Sequence, residues 1–498
     1  MPPLENSFLK VPLQKIVQLY CHEIAPRIPK NNKLVSIGAA VILSLVYLII
    51  NKAKPPRKLR HFPYISHFSI LKSTYYKESV RDRCQRVHIP IVESGKSNGL
   101  FLEVTRNGWV LNVANPEDAK RVLLKHDLFP KIDISEERSG TLQSKFTIRP
   151  SMAMTSGDQW KRQRNIMNPA FRRSMPVKLF GNLTQEMFRS MENKGNIFTV
   201  SDLMERWTLD VIGRAGFGFD FNSIQTKESE WVRRYGCINR GLRDPLFFLF
   251  PRLDTSARWL FTDRQYIHEQ TEIFLNMLDE VVEYKKLDIK NGVADSALDE
   301  NERDLLTLML ESGEEGSGDM SDYELKSNLC GIFLAGHDTT ASALSYAIHY
   351  LAENQDIQEK ARQEAISILG DKPCDVLPSI EDTKKMTYIN QIIKETLRIN
   401  GPVARTITRV AREDSVLSGV LAPKGTLLTV NMFDTHHCQK IWNDPDVFNP
   451  DRFSENGEGI REAGEGMTWI PFGSGARQCI AMNFSLNEQK VMLSMLCE

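Results

Sequence analysis

Residues 34–50, LVSIGAAVILSLVYLII, run for 17 positions without a charge, and nothing else in the chain limits its architecture so sharply. As a helix this run is about 25 Å long at ~1.5 Å per residue, the short end of what crosses a bilayer. A core helix of a soluble body keeps a polar stripe, and this run has none. A cleaved secretory signal begins near the first residue and ends in small residues. Here 33 residues precede the run and Asn51-Lys52-Ala53-Lys54 follows it. The pattern predicts a transmembrane anchor over 34–50, preceded by an N-terminal extension over 1–33. Lys52, Lys54, Arg57, Lys58 and Arg60 follow the span, against Arg27, Lys30 and Lys33 before it. That excess places the C-terminal side in the cytosol. Residues 51–63, with Pro55-Pro56 and Pro63, form a basic linker, either a stiff spacer or a simple loop.

The rest of the chain, 64–498, reads as one large body. Apolar residues make up 41% and charged residues 25%, which excludes disorder throughout. Lys+Arg and Asp+Glu are 63 each, so no global basic field argues for nucleic acid. The eight cysteines form no C-x-x-C pair and no metal-finger spacing, as expected in a reducing compartment. Helical spacing dominates, with β-like runs only at 100–104, 109–113 and 427–430. The class is mostly α with a smaller β part. Residues 290–304 and 311–319 read as surface loops, and Ser321-Asp-Tyr-Glu324 is a capping box that starts a helix over about 323–352.

That helix breaks its own rules at its centre. Gly336, Asp338, Thr339 and Thr340 are poor mid-helix residues between apolar flanks. They predict either a functional kink or groove, or a glycine-lined helix crossing whose polar residues face water. Near the end, Pro471-Phe472-Gly-Ser-Gly475-Ala-Arg477-Gln-Cys479 places a thiol after a glycine bulge, at the start of an apolar run over 480–496. A helix start with Arg477 nearby favours thiolate, the form that ligates a transition metal. A lone cysteine is otherwise a small buried hydrophobe. His436-His437 reads as a satisfied pair rather than a metal cluster. Phe247 to Phe250 suits either a membrane-dipping patch or core. Lys161, Arg162, Arg172 and Arg173 suit either a docking face for an acidic electron donor or a solvated surface.

Together these residues carry a resemblance. Phe472-x-x-Gly475-x-Arg477-x-Cys479 resembles the haem-binding signature of the cytochrome P450 family. Ala-Gly-His-Asp338-Thr339-Thr resembles its oxygen-activation helix, and Glu395-x-x-Arg398 with the Arg452 segment resembles its buried ion triad. Trp160-x-x-x-Arg164 resembles its propionate-binding helix. The motifs stand in family order over about 320 residues. Ala481 stands where the family usually has Gly, and Asp451 where Glu is commoner.

The resemblance implies a cytochrome P450 fold and haem b, with Cys479 as the axial iron ligand. Trp160, Arg164 and Arg477 hold propionates, helped by Arg409 or Arg405, and Phe472 belongs to the same cofactor site. Asp338 and Thr339 manage protons, while Glu395, Arg398 and Arg452 are structural. It further implies a monooxygenase in the endoplasmic reticulum membrane, its catalytic domain facing the cytosol. Such an enzyme inserts one atom of O2 into an apolar small molecule. Its electrons come from NADPH through a flavoprotein reductase, or in part from a small haem protein. The alternatives are a reductase-independent haem-thiolate isomerase or dehydratase, and an inactive haem-binding remnant. The last arises because only 19 residues follow Cys479, where the family continues into further helical turns and a β-hairpin, so 64–498 is expected to be truncated.

Overall fold

The computed structural model of the chain describes residues 54–498 apart from 136–137, 147–149, 193–196, 227–228, 292–298, 313–319, 372–375 and 460–466. The expected anchor over 34–50 lies outside the described residues. Among those described, no helix is long and apolar enough to cross a membrane.

Helices frame the site: α1 (Pro116–Leu124), α2 (Gly157–Arg173), α3 (Val177–Glu192), α4 (Val200–Val211), α5 (Glu230–Arg243), α6 (Thr262–Lys290), α7 (Leu305–Ser312), α8 (Asp322–Glu353), α9 (Gln355–Leu369), α10 (Thr387–Ile399), α11 (Met432–His437) and α12 (Met482–Cys497). The longest, α8, starts where its side chains satisfy the free backbone donors. The Ser321 hydroxyl accepts from the Glu324 N–H, and the Glu324 carboxylate accepts from the Ser321 N–H. At 32 residues it spans roughly 48 Å.

The helical hydrogen-bond pattern of α8 runs unbroken through its polar centre. Gly336 instead allows a close approach, since a Cβ there would come within 2.9 Å of Ile212 Cδ1. The unfavourable residues are tolerated because neighbouring elements pack against them, a tertiary gain that outweighs propensity.

Two apolar cores hold α8 in place, and a third supports the sheet. One joins α3, α4, α8, α9, α10 and α12 through residues such as Phe180, Trp207, Leu344, Ile393 and Val491. A second joins α2, α5, α6, α7 and α8 around Phe274 and Phe333, whose rings meet edge to face at 5.3 Å. The third lies under the sheet, where Leu100, Leu111 and Leu428 pack on Val122 and Phe129.

That sheet has β1 (Leu100–Thr105), β2 (Gly108–Val113), β3 (Arg409–Val410) and β6 (Leu427–Val430) in the order β1-β2-β6-β3. Strands β1 and β2 are antiparallel, β2 and β6 parallel, and β3 and β6 antiparallel. The parallel pair joins residues 110–113 to residues 427–430 and positions the 405–409 segment beside the site. A hairpin of β4 (Ser415–Leu417) and β5 (Val420–Ala422) stands apart. The last part of the linker docks on this layer. Leu59 and Phe62 are buried, and the Ile65 N–H donates to the Leu102 carbonyl at 2.8 Å.

Candidate active site

A cavity of about 390 Å³ opens where α2, α8, the 402–409 segment and the loop before α12 meet. Its wall is mostly apolar, including Met152, Ile332, Ala335, Val403, Ile407 and Phe472.

The loop before α12 depends on two glycines. Gly473 and Gly475 take φ of +66° and +70°, the left-handed region that side chains avoid. A Cβ on Gly475 would also press the Leu123 carbonyl at 3.1 Å. Hydrogen bonds from the Gln478 N–H to the Gly475 carbonyl and from the Cys479 N–H to the Phe472 carbonyl close the loop. Cys479 is thereby presented to the cavity, its sulfur open to that space but sheltered from bulk water.

The expected lowering of the Cys479 pKa is corrected by the structure. Burial pushes the thiol up, only partly opposed by the Ala481 N–H and Arg164. The cause is geometric. Helix α12 begins at Met482, past the thiol, and Arg477 turns to the Trp160 indole, 3.7 Å from its centroid.

Five cations line the cavity; Arg405 is taken up by Glu103, which leaves four to converge there, Lys131, Arg164, Arg409 and Arg477. Their hydrogen-bond acceptors are carbonyl oxygens, of Ala153, Gln478, Phe129 and Met152 respectively. Burial, then Arg477, Arg409 and Arg164, pulls Lys131 down to about 7. Burial also lowers Arg409 to about 10, and its Nε has no hydrogen-bond partner. Like charges gathered in a poorly hydrated place lack an anion.

The two candidate arginines separate here. Arg409 joins the cation group, whereas Arg405 is held by Glu103 at 2.5 Å. Lys131 is a site residue that the sequence reading missed, since it sits in no motif.

Along α8, Thr339 lines the cavity and its hydroxyl donates to the Ala335 carbonyl at 2.5 Å. Asp338 is not brought to the cavity wall. It turns to α5, where it pairs with Arg243 at 2.7 Å and meets Asn239 at 3.4 Å. Thr340 and Glu488 also line the cavity, and burial raises the Glu488 carboxyl well above the usual range. A lone acid inside the apolar run of α12 was the visible sign of this second missed residue.

Glu395, Arg398 and Arg452 meet away from the cavity wall. Arg398 donates twice to Glu395, at 2.7 and 2.9 Å, and Arg452 reaches it at 3.3 Å. Glu458 adds a second carboxylate at 2.8 Å from Arg452. His436 and His437 are buried and hydrogen-bonded. His436 Nε2 accepts from the Ile470 N–H, and His437 Nδ1 donates to the Phe433 carbonyl.

An apolar slot with one thiol and an anion-seeking group of cations suits a flat, greasy macrocycle with two carboxylates and a thiophilic metal. Haem has that chemistry, so the fold and site define a haem-thiolate oxidoreductase. Comparison with known proteins agrees. The Cytochrome P450 family model matches residues 101–498. Cytochrome P450 3A11 of Mus musculus is 28% identical over 422 residues, covering 81% of this chain and 78% of the relative. Cytochrome P450 4F4 of Rattus norvegicus is 29% identical over 359 residues, covering 69% and 67%. The crystal structure of the cytochrome P450DA heme domain superposes with a TM-score of 0.69 at 20% identity, over 88% of this chain and 90% of that one. The chain belongs to the cytochrome P450 family, monooxygenases that bind haem b through a cysteine thiolate.

Proposed function

We propose that this chain is a membrane-anchored monooxygenase that inserts one oxygen atom of O2 into an apolar small molecule, fed by NADPH through a separate flavoprotein reductase. The observation that carries the reading is the convergence of one thiol and four cations on a single apolar cavity. Haem b bound there would supply O2 binding and activation, favoured by a thiolate ligand. Cys479 would be its thiolate ligand. Trp160, Arg164, Arg409 and Arg477, with Lys131, hold the propionates, and Phe472 packs beside the thiol loop.

The remaining wall orients substrate and excludes water. Its apolar side chains select apolar substrates by desolvation rather than by specific polar contacts. The Thr339 hydroxyl holds a water at the cavity, and the Asp338 carboxylate, 21% exposed beside Arg243, reaches solvent to reload it. Glu488, kept protonated by burial, is a second acid near Thr340.

Residues 34–50 anchor the chain as a single span, with 51–63 as linker and 64–498 as the catalytic domain on the cytosolic face of the endoplasmic reticulum. Phe248, Leu249, Phe250 and Trp259 support contact with a membrane, since all four are exposed and apolar. Lys161 and Arg172 are exposed on α2 and suit an acidic donor, whereas Arg162 is already paired with Glu324.

Two measurements test the reading. Reduced, CO-bound protein is expected to show the strongly red-shifted Soret band of thiolate ligation, lost in Cys479→Ser. Oxygen uptake is expected only with NADPH and reductase together. Turnover of a peroxide without either would favour an isomerase or dehydratase instead.

A further inference from the structure

Outside the cavity wall, Cys84, His88, Glu103 and Asp434 form a buried cluster, each no more than 2% exposed. Cys84 and His88 stand four apart on one wide helical turn over 84–88, so both face the same way. Asp434 arrives from the first turn of α11. His88 Nδ1 lies 3.4 Å from Cys84 Sγ and 3.1 Å from Asp434 Oδ2. One ligand atom from each of the three lies within 4.8 Å of the others.

His88 Nδ1 alone must answer both the Cys84 thiol and the Asp434 carboxylate. A nitrogen offers either one proton or one lone pair. A proton on Nδ1 serves Asp434 and leaves the thiol hydrogen idle. A bare Nδ1 takes the thiol hydrogen but faces a carboxylate lone pair. A cation serves all three at once. Tetrahedral zinc, with bonds of about 2.0–2.3 Å, separates its ligand atoms by about 3.3–3.8 Å, close to the two spacings that His88 Nδ1 makes. The far side of the ring fits as well. His88 Nε2 has no hydrogen-bond partner and points to Glu103 Oε1 at 3.7 Å, where a metal-bound histidine usually offers its other N–H to a carboxylate.

The charges balance too. Glu103 and Asp434 offset Arg83 and Arg405, which both pair with Glu103. A divalent ion there would meet the Asp434 carboxylate and a Cys84 thiolate, two negative charges for its two positive ones.

We propose that Cys84, His88 and Asp434 bind one zinc ion, with Glu103 as the outer carboxylate and water as fourth ligand. The ion staples the helical segment after the linker to α11, whose first residue Met432 lines the cavity. This site does not depend on the reading of Cys479.

Tag-free, haem-loaded full-length protein, in which haem occupies Cys479, is stripped with chelator, given one equivalent of zinc and desalted. About one zinc per chain is expected to remain, with one sulfur neighbour at about 2.3 Å at the zinc X-ray edge. Cys84→Ser and Asp434→Asn are expected to lose that zinc, and Glu103→Gln to weaken its retention about 10- to 100-fold. Wild-type protein that keeps no zinc, or zinc with no sulfur neighbour, would overturn the proposal, and neither result needs a folded variant. Equal zinc in Cys84→Ser would overturn it as well.

Discussion

The Arg477 guanidinium lies over the Trp160 indole, 3.7 Å from the ring centroid, and so ties the thiol loop to the first turn of α2. Trp160 is 5% exposed, so this stack is shielded from water, where such contacts reach about 2 kcal/mol. Arg477→Ala removes both the stack and one of the four cavity cations. Haem transfer from the protein to an excess of apomyoglobin is expected to speed up about tenfold or more. Arg477→Lys is expected to restore little, because an ammonium does not reproduce a planar stack.

Removing the carboxylate at the centre of the ion triad should unfold rather than merely slow the enzyme. Glu395 is fully buried between Arg398 and Arg452. Glu395→Ala leaves two guanidiniums in low dielectric, at a cost of about 3–5 kcal/mol. A large fall in the denaturant midpoint is expected. Replacing Glu395 and Arg398 together should cost less than the sum of the single changes.

Acid should destabilise the protein through buried neutral imidazoles. Burial holds His337 and His437 down at about 4, against about 6.5 for a free histidine. Between those values the native state binds fewer protons than the unfolded chain. The stability is therefore complete above about pH 6.5 and is lost as pH falls towards 4, by up to ~1.4 kcal/mol per unit for each histidine. Denaturant midpoints at pH 7, 6 and 5 report this slope, and His337→Gln should remove one histidine's share.

Thr339→Ala is expected to fold, bind haem and consume NADPH, while leaking hydrogen peroxide in place of product. In Asp338→Asn, which keeps a polar contact with α5 but loses the carboxylate, slower turnover and an altered solvent isotope effect are expected. Full coupling of NADPH to product in Thr339→Ala would mean that the hydroxyl only bonds back to Ala335.

Local chemistry made much of this protein legible in its sequence. The capping box at Ser321 and Glu324 sets the start of α8 because it acts within one turn. The glycines at 473 and 475 announce the thiol loop because only glycine takes that backbone without strain. Tertiary structure decided what depends on partners far along the chain. Arg405 and Arg409 look alike in sequence, yet Glu103 on β1 holds one and leaves the other to the cation group. Asp338 turns from the cavity because Arg243 on α5 pairs with it. Lys131 joins the cations through the pairing that sets it beside Arg409. The thiol of Cys479 is raised rather than lowered because burial is a property of the assembled cavity, not of the residues beside it.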